Sequence, residues 1–195
     1  EYQQRFDGSW YIDVAELKGM DAYGGLDLSS TTDVTALCWV FPFAQLDRYA
    51  AIWRLWIPED TLDDLARRTS DNAYAWVKQG WLSTTPGNVV DYDFIMAQVL
   101  DDMEEFDVVS LAYDRWNSSQ LVTKLDEEGV PMEAMGQGYA SLSGPTKQMQ
   151  RLILKGAKQP GDPCLLHGGN PVLRWMVNNL AIATDPAGNV KPDKA

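Results

Sequence analysis

The sequence is short of basic residues, cysteine and long apolar runs. Its 16 lysines and arginines face 28 acidic residues, and the net charge of −12 argues against a broad basic face that holds nucleic acid by charge alone. The two cysteines, Cys38 and Cys164, are far apart and form no CxxC pair, so we expect buried free thiols in a reducing compartment. The longest apolar stretch, VTALCWVFPFA, is too short to cross a bilayer, and the N-terminus has no signal pattern. We therefore expect a soluble protein without disulfides.

Two further motifs are missing. The sequence contains no GxxxxGK[ST] phosphate loop, so we do not expect this chain to hydrolyse ATP. Its one histidine cannot build a zinc site.

The first residue is not methionine and the last residues, NVKPDKA, form no terminating element, so we expect both ends to be cuts in a longer chain.

The order of predicted elements indicates an α/β fold. With 195 residues and eight tryptophans, the chain can bury one sizeable core. Strands predicted at residues 23–28, 35–41 and 49–56 form an antiparallel meander, and strands at 108–113 and in PMEAMGQG alternate with helices. Helices are predicted to begin at Pro58, Asp91, Asn117, Pro145 and Asn170, and a hairpin surrounds DPAG. The helical region from Pro58 is expected to continue to Gly80, and the strand at 108–113 to be covered on both faces. Two helices are expected to turn apolar side chains toward the core: Ile95, Val99, Met103 and Phe106 in the helix after Asp91, and Met149, Leu152 and Ile153 in the helix after Pro145. A meander followed by crossovers predicts a mixed sheet with helices on both faces, the arrangement of ribonuclease H-like folds.

Two predicted strands carry an aspartate at or near the carboxyl end, Asp27 in GGLDLSS and Asp114 in LAYDRWN. Ligand sites in α/β sheets collect at that edge. If the strands are neighbours, the two carboxylates repel each other unless a cation lies between them, and hard oxygen ligands select Mg²⁺ or Mn²⁺. Two such ions roughly 3.5 to 4 Å apart can cleave a phosphodiester. A strand-end cap and a turn former are the structural alternatives, and spacing alone leaves both interpretations open.

Five segments carry a family resemblance: YGGLDLSSTTDVTAL, YAWVKQGWLSTTPGNVVDYDFI, YDRWNSSQLV, GQGYASLSGPTKQMQRLIL and HGGNPVLRWMVNNLAIATDPAGNVKPDK. In this order they resemble the nuclease domain of tailed-phage large terminases, the DNA-packaging motor proteins. The resemblance implies a ribonuclease H-like endonuclease that uses two Mg²⁺ or Mn²⁺ ions to cut concatemeric double-stranded DNA. Asp27 and Asp114 match the first and second family ligands, as catalytic and metal-binding residues. The third carboxylate usually follows KPDK, so we expect it beyond Ala195 and do not assign it to Asp193.

The resemblance also implies how the chain is organised. Residues 1–21 are expected to be a linker or lead-in segment, and residues 22–195 a nuclease domain that is truncated at its C-terminus and lacks the upstream ATPase domain. The implied partners are double-stranded DNA and, in the packaging motor, the terminase small subunit and the portal protein. The isolated domain is expected to be a monomer, and the implied location is the host cell cytoplasm during infection.

Several other polar residues are candidates for the site. Lys147 and Arg151 lie four residues apart on one predicted helix, so they are either contacts for the DNA backbone near the metals or solvated charges. His167 precedes GGNP and is either a phosphate contact or structural. Asp91 and Asp93 are expected to cap a helix.

Three more residues have two interpretations each. Asp33 either orients a metal-bound water or forms a turn. Trp116 and Trp175, each beside an arginine, either stack on bases or pack in the core.

Two other functions compete with the endonuclease. A non-catalytic domain that docks on DNA and the portal agrees with the negative charge and the cut C-terminus. The segment GLDLSSTTDVTAL also looks like the first phosphate-binding strand of actin-like ATPases. That family needs a second phosphate loop of the DxGG kind and a glycine-rich adenosine motif, and neither occurs here in the right context.

Overall fold

The structure is a computed structural model. It describes residues 13–29, 33–43, 47–115, 120–158 and 163–193, together with the backbone of Gln3–Gln4 and Trp10–Tyr11. The strands are β1 (Gln3–Gln4), β2 (Trp10–Tyr11), β3 (Asp21–Asp27), β4 (Thr35–Phe43), β5 (Arg48–Pro58), β6 (Ser83–Thr85), β7 (Asp107–Asp114), β8 (Met132–Met135), β9 (Leu165–Leu166), β10 (Ala181–Thr184) and β11 (Val190–Asp193). The helices are α1 (Leu62–Arg68), α2 (Asn72–Lys78), α3 (Tyr92–Glu105), α4 (Gln120–Glu127), α5 (Tyr139–Ala157) and α6 (Pro171–Asn178).

A central mixed sheet of seven strands organises the fold. Its order is β6-β5-β4-β3-β7-β8, and β9 pairs with the same strand, β5, as β6 does. Strands β3, β4 and β5 form the predicted antiparallel meander. Strands β7 and β8 join it in parallel, as expected for crossover connections. The mixed α/β sheet predicted from the sequence is therefore confirmed.

The two faces of the sheet bury different groups of apolar side chains. On one face, Leu37, Trp39 and Phe41 of β4 join Ile95 and Val99 of α3 in the larger core, which also includes residues of α4. On the other face, a smaller core combines residues of β5 with residues of α1, α2 and α6. Because β5 alternates its side chains between the two cores, helices cover both faces of the sheet.

Capping side chains begin two of the helices as predicted. The Asp91 carboxylate accepts a hydrogen bond from the backbone N–H of Asp93 at 3.0 Å and so caps α3. Asn170 caps α6 in the same way, since its Oδ1 accepts from the backbone N–H of Val172 at 2.9 Å. The predicted helical region is broken into two helices, α1 and α2. Ser70 and Asp71 lie between them with φ values of 51° and 63°, outside the right-handed helical range. The cap predicted at Asn117 lies outside the described residues.

Helix α5 departs from the prediction at its start and at its buried face. It begins at Tyr139, and Pro145, which was expected to open it, lies inside. The first turns are held by tertiary contact, because Ser143 is buried and its Oγ accepts a hydrogen bond from the backbone N–H of Val190 in β11. Leu152 is buried as expected, but Met149 and Ile153, predicted on the core side, are 39% and 50% exposed. The helix packs on β9 and β11.

Two further expectations need correction. Strand β7 was predicted to be covered on both faces, yet Val109 is 44% exposed, beside a register shift between Ala22 and Tyr23 of β3. Within the predicted lead-in, a 3₁₀ turn at Val14–Leu17 inserts Leu17 into the larger core, where it is 1% exposed. The part of the lead-in from residue 13 onward therefore contributes to the fold.

A buried carboxylate ties α3 to the sheet. Asp102 is 2% exposed and accepts hydrogen bonds from Trp39 Nε1 at 2.7 Å, from Arg54 Nη2 at 2.8 Å and from Gln98 Nε2 at 3.0 Å. The Trp39 ring in turn covers Gly24, where an added Cβ would overlap that ring and lie 2.5 Å from Leu111 Cδ1. Strand β3 can therefore pack here only without a side chain at position 24.

The described part of the chain ends in the predicted hairpin of β10 and β11. Its turn is closed by Asp185, whose Oδ1 accepts from the backbone N–H groups of Ala187 at 3.0 Å and Asn189 at 2.8 Å. Among the residues that the structure describes, no helix is long and apolar enough to cross a bilayer.

Candidate metal centre at the ends of two parallel strands

The structure brings Asp27 and Asp114 together. Each is the last residue of its strand, and β3 and β7 are adjacent and parallel. The ladder pairs Leu26 with Tyr113, so the next residue on each strand is the aspartate, and neighbouring strands lie about 4.8 Å apart. The two strands are neighbours, so the two aspartates lie side by side, as expected for that case.

Both aspartates line one recess of about 230 Å³. Three small residues line the recess with them, Gly25 on β3, Ala112 on β7 and Ala36, which pairs with Asp27 from β4, and the larger Leu26 and Tyr113 also line it. The side chain of Gln137, which follows β8, adds an amide to the wall. Two carboxylates and an amide are oxygen donors, the ligand type that Mg²⁺ and Mn²⁺ prefer. Mg²⁺ commonly binds to proteins through one or two carboxylates and keeps several waters. The donor set therefore fits a hard divalent cation.

A thiol also lines the recess. Cys38 lies on β4 and pairs with Gly25 of β3. Burial raises the pKa of the Cys38 thiol to about 12. Without a metal this thiol is therefore neutral at physiological pH, and Mg²⁺ and Mn²⁺ prefer oxygen ligands to sulfur. Both cysteines are free thiols, as expected; Cys164 is buried, but Cys38, which was also expected to be buried, is only half-buried.

Hydroxyl groups fix the turn that follows Asp27. Ser29 Oγ donates to the backbone carbonyl of Asp33 at 2.5 Å, and the backbone N–H of Ser29 donates to Thr35 Oγ1 at 3.0 Å. Thr35 is fully buried at the start of β4. These bonds satisfy strand-end backbone groups and tie the end of β3 to the start of β4.

A second recess, of about 330 Å³, extends from Asp27 toward the C-terminal hairpin. Asp33 and Asp193 line it, together with Arg68 at the end of α1. Among the described residues, however, no group of three or more histidines, cysteines or acids is placed to hold one ion. A third carboxylate beyond Ala195 stays a prediction, and Asp193 contributes negative charge to the rim.

Arg68 lines the second recess, and sequence reasoning missed it. In the sequence, Arg68 is explained by its position in the last turn of α1, where a cation stabilises the negative end of the helix dipole. The structure shows that α1, which packs on the second face of the sheet, brings this guanidinium to the recess that contains Asp27. No local pattern signals this, because α1 and β3 are more than 30 residues apart.

The other candidates lie elsewhere. Lys147 and Arg151 line a recess on α5 that contains neither aspartate of the metal centre. His167 lines another recess, beside Trp53 and Arg54, and its Nδ1 accepts a hydrogen bond from the backbone N–H of Gly169 at 3.3 Å. That recess also lacks both aspartates.

The two tryptophan candidates have different outcomes. Trp175 packs against Trp76, with ring centroids 6.1 Å apart, so the core interpretation is confirmed for it, although it also lines the second recess. Trp116 lies outside the described residues.

Comparison with known proteins identifies the family. A family profile described as "Terminase large subunit, endonuclease domain" matches residues 3–195. The chain belongs to this family. It is 34% identical over 185 residues to the large subunit of the terminase of Enterobacteria phage HK97, covering 89% of this chain and 33% of that protein. Protein YmfN of Escherichia coli K12 is 25% identical over 193 residues, covering 94% of this chain and 41% of that protein.

A solved structure confirms the fold. The crystal structure of the HK97 large terminase matches with a TM-score of 0.77 and 32% identity, covering 93% of this chain and 38% of that one. The ribonuclease H-like assignment and the terminase resemblance are therefore both confirmed. The chain spans about a third to two fifths of the length of these relatives.

Proposed function

We propose that this terminase endonuclease domain cuts concatemeric double-stranded DNA into genome lengths by metal-dependent phosphodiester hydrolysis. The observation that supports it is the pair of aspartates, Asp27 and Asp114, at the ends of adjacent parallel strands in a chain of this family. Under the proposal the protein acts in the host cell cytoplasm during infection, with the terminase small subunit and the portal as partners in packaging.

Asp27 and Asp114 hold the divalent cations, Mg²⁺ or Mn²⁺, in this proposal. Two bound ions would activate a water and stabilise the leaving oxygen of the cleaved phosphodiester. The protein supplies carboxylates on rigid strand ends, which keeps them in place while DNA enters and leaves. Small residues beside them, Gly25 and Ala112, leave room for the DNA backbone. Arg68 stands where a guanidinium would attract a phosphate toward the acidic rim.

The test is cleavage of supercoiled plasmid in the presence of Mn²⁺, paired with Mn²⁺ binding measured by electron paramagnetic resonance. Strands β3 and β7 offer matched controls, because each also begins with an aspartate. These are Asp21 and Asp107, which pair with each other at the opposite end of the two strands. We expect Asp27→Asn and Asp114→Asn each to lower the cleavage rate at least 100-fold and to weaken Mn²⁺ binding. Asp21→Asn and Asp107→Asn should retain both properties.

Cleavage that persists in both site variants would contradict the two-metal assignment. The docking alternative is favoured by a different result. If a version extended past Ala195 binds Mn²⁺ and duplex DNA but does not cut, the domain docks on DNA and the portal without catalysing cleavage. Family membership favours an endonuclease over the actin-like ATPase alternative.

A further inference from the structure

Helix α5 reverses the charge of its surroundings. Residues 134–161 contain four of the 16 basic residues of the chain and none of its 28 acidic residues. The four are Lys147, Arg151, Lys155 and Lys158, and we refer to them as the basic ridge. In a chain with a net charge of −12, such a segment is a local positive surface on an acidic protein.

The basic ridge occupies one side of the helix. All four cations line a single recess together with Gln150 and Leu154. From Lys147 to Lys158 the ridge extends about 16 Å at the helical rise of 1.5 Å per residue. Spacings of three and four residues keep the charges on one face, where they can meet a ligand at the same time.

Neighbouring acids neutralise the ridge only in part. Lys155 Nζ lies 2.6 Å from Asp47 Oδ2, and Asp185 in the hairpin turn is close enough to Lys147 for that lysine to lower its pKa. Arg151 Nε donates to the neutral side chain of Gln148 at 3.0 Å. Lys147, Arg151 and Lys158 are all exposed, so three cations with long side chains face solvent.

We propose that the basic ridge binds the phosphate backbone of duplex DNA at a site separate from the metal centre. The inference rests on the proposed function and deepens it, because it says where a strongly acidic nuclease domain holds its polyanionic substrate. Duplex DNA carries one negative charge per about 1.7 Å of its axis, so a row of cations about 16 Å long meets several phosphates. Only one apolar side chain, Leu154, belongs to the same recess, which favours a phosphate surface over a protein partner with an apolar anchor.

The test compares two triple variants of equal charge change. The ridge variant is Lys147→Gln, Arg151→Gln, Lys158→Gln, and the control is Lys18→Gln, Lys78→Gln, Lys124→Gln, which removes three exposed lysines from other parts of the surface. Binding to a fluorescent duplex is followed by anisotropy in EDTA, at salt concentrations from about 50 to 200 mM. The readout thus needs neither metal nor cleavage. Circular dichroism checks that both variants are folded.

Each phosphate contact contributes about 0.9 to the slope of log K against log salt. We therefore expect the slope of log K against log salt to be smaller in magnitude by about 2 to 3 in the ridge variant. The ridge variant should also bind about 100-fold more weakly near 0.1 M salt. The control should change the slope by less than about 1. Equal weakening of both variants would show a net-charge effect and overturn the inference, as would an unchanged slope in the ridge variant. If the unmodified chain does not bind duplex DNA at low salt, the ridge does not serve DNA.

Failure of this inference and failure of the proposed function are distinguishable. Asp27→Asn and Asp114→Asn remove the proposed metal ligands but leave the ridge intact, so they should keep the full salt slope even when cleavage is lost. A ridge variant with normal binding, in a chain that cuts plasmid, refutes the ridge alone. A version extended past Ala195 that does not cut, but whose DNA binding depends on the ridge, refutes the nuclease proposal alone.

Discussion

The carboxylate of Asp102 offers the sharpest test of how this fold is held together. It accepts hydrogen bonds from Trp39, Arg54 and Gln98 while only 2% of the residue is exposed. The substitution Asp102→Ala removes the acceptor and leaves these donors in place. Trp39 is 0% exposed, so its indole N–H would lose its partner far from water.

The magnitude follows from the two main losses. A buried donor left without an acceptor costs about 1 to 3 kcal/mol. Breaking a fully buried ion pair costs about 3 to 5 kcal/mol. That second cost applies only in part here, because the Arg54 side chain is 30% exposed and water can solvate its guanidinium. We therefore expect Asp102→Ala to lower the free energy of unfolding by about 3 to 4 kcal/mol.

The assay is guanidinium unfolding followed by tryptophan fluorescence, with thermal unfolding as a second measurement. At about 2 to 4 °C per kcal/mol for a chain of this size, the melting temperature should fall by about 6 to 16 °C. The double variant Asp102→Leu, Arg54→Met removes both charges, so it should be more stable than the sum of its single substitutions predicts. A loss below about 1 kcal/mol for Asp102→Ala, or strict additivity in the double variant, would refute this account.

Two other predictions concern local features. Gly24→Ala should destabilise the protein by about 3 kcal/mol in the same unfolding assay, because its Cβ would overlap the Trp39 ring, whereas Gly25→Ala, whose Cβ has no atom within 4 Å, should cost less than about 1 kcal/mol. Equal losses in both variants would contradict the packing explanation. Hydrogen bonds from Asn189 and from backbone N–H groups lower the pKa of Asp185. Because the folded pKa is depressed, this carboxylate stabilises the hairpin above its ordinary pKa near 3.8, and the contribution is lost as the pH falls through the folded value. Carbon-detected NMR titration should place the midpoint below 3.8, and Asn189→Ala, which removes the side-chain donor and keeps the backbone N–H, should move it upward; a midpoint that does not move would exclude the Asn189 side-chain hydrogen bond as the main cause.

Local patterns predicted the elements whose stability is local in origin. Helix α3 followed from an aspartate cap and an apolar stripe at Ile95, Val99 and Phe106, and all of these features are present. The start of α5 could not be predicted in the same way. A proline inside a helix is unfavourable on its own, so α5 depends on its packing against β9 and β11, which includes the hydrogen bond from Val190 to Ser143. The partner strand lies more than 40 residues later in the sequence, so no local window contains it.

The sequence did contain a signal for the buried charge. Position 102 falls on the stripe formed by positions 95, 99 and 106, at the helical spacing of three and four residues. An acid on an apolar stripe indicates a buried partner, and Arg54 on β5 is that partner. The two strand-end acids, Asp27 and Asp114, were also visible in the sequence, and the structure places them on neighbouring parallel strands. Arg68 was not, because a helix covering the other core brings it to the site.

The adjacent glycines of β3 show how one strand can serve the core and the site together. Successive side chains of a strand point to opposite faces, so positions 24 and 25 have different neighbours. Position 24 faces the larger core and must lack a side chain because Trp39 and Leu111 occupy the space. Position 25 faces the recess, on the same side as Asp27, where an added Cβ would meet no atom within 4 Å. Packing therefore does not require glycine there. A side chain at position 25 would occupy the open volume beside the two carboxylates, so the second glycine keeps that volume open.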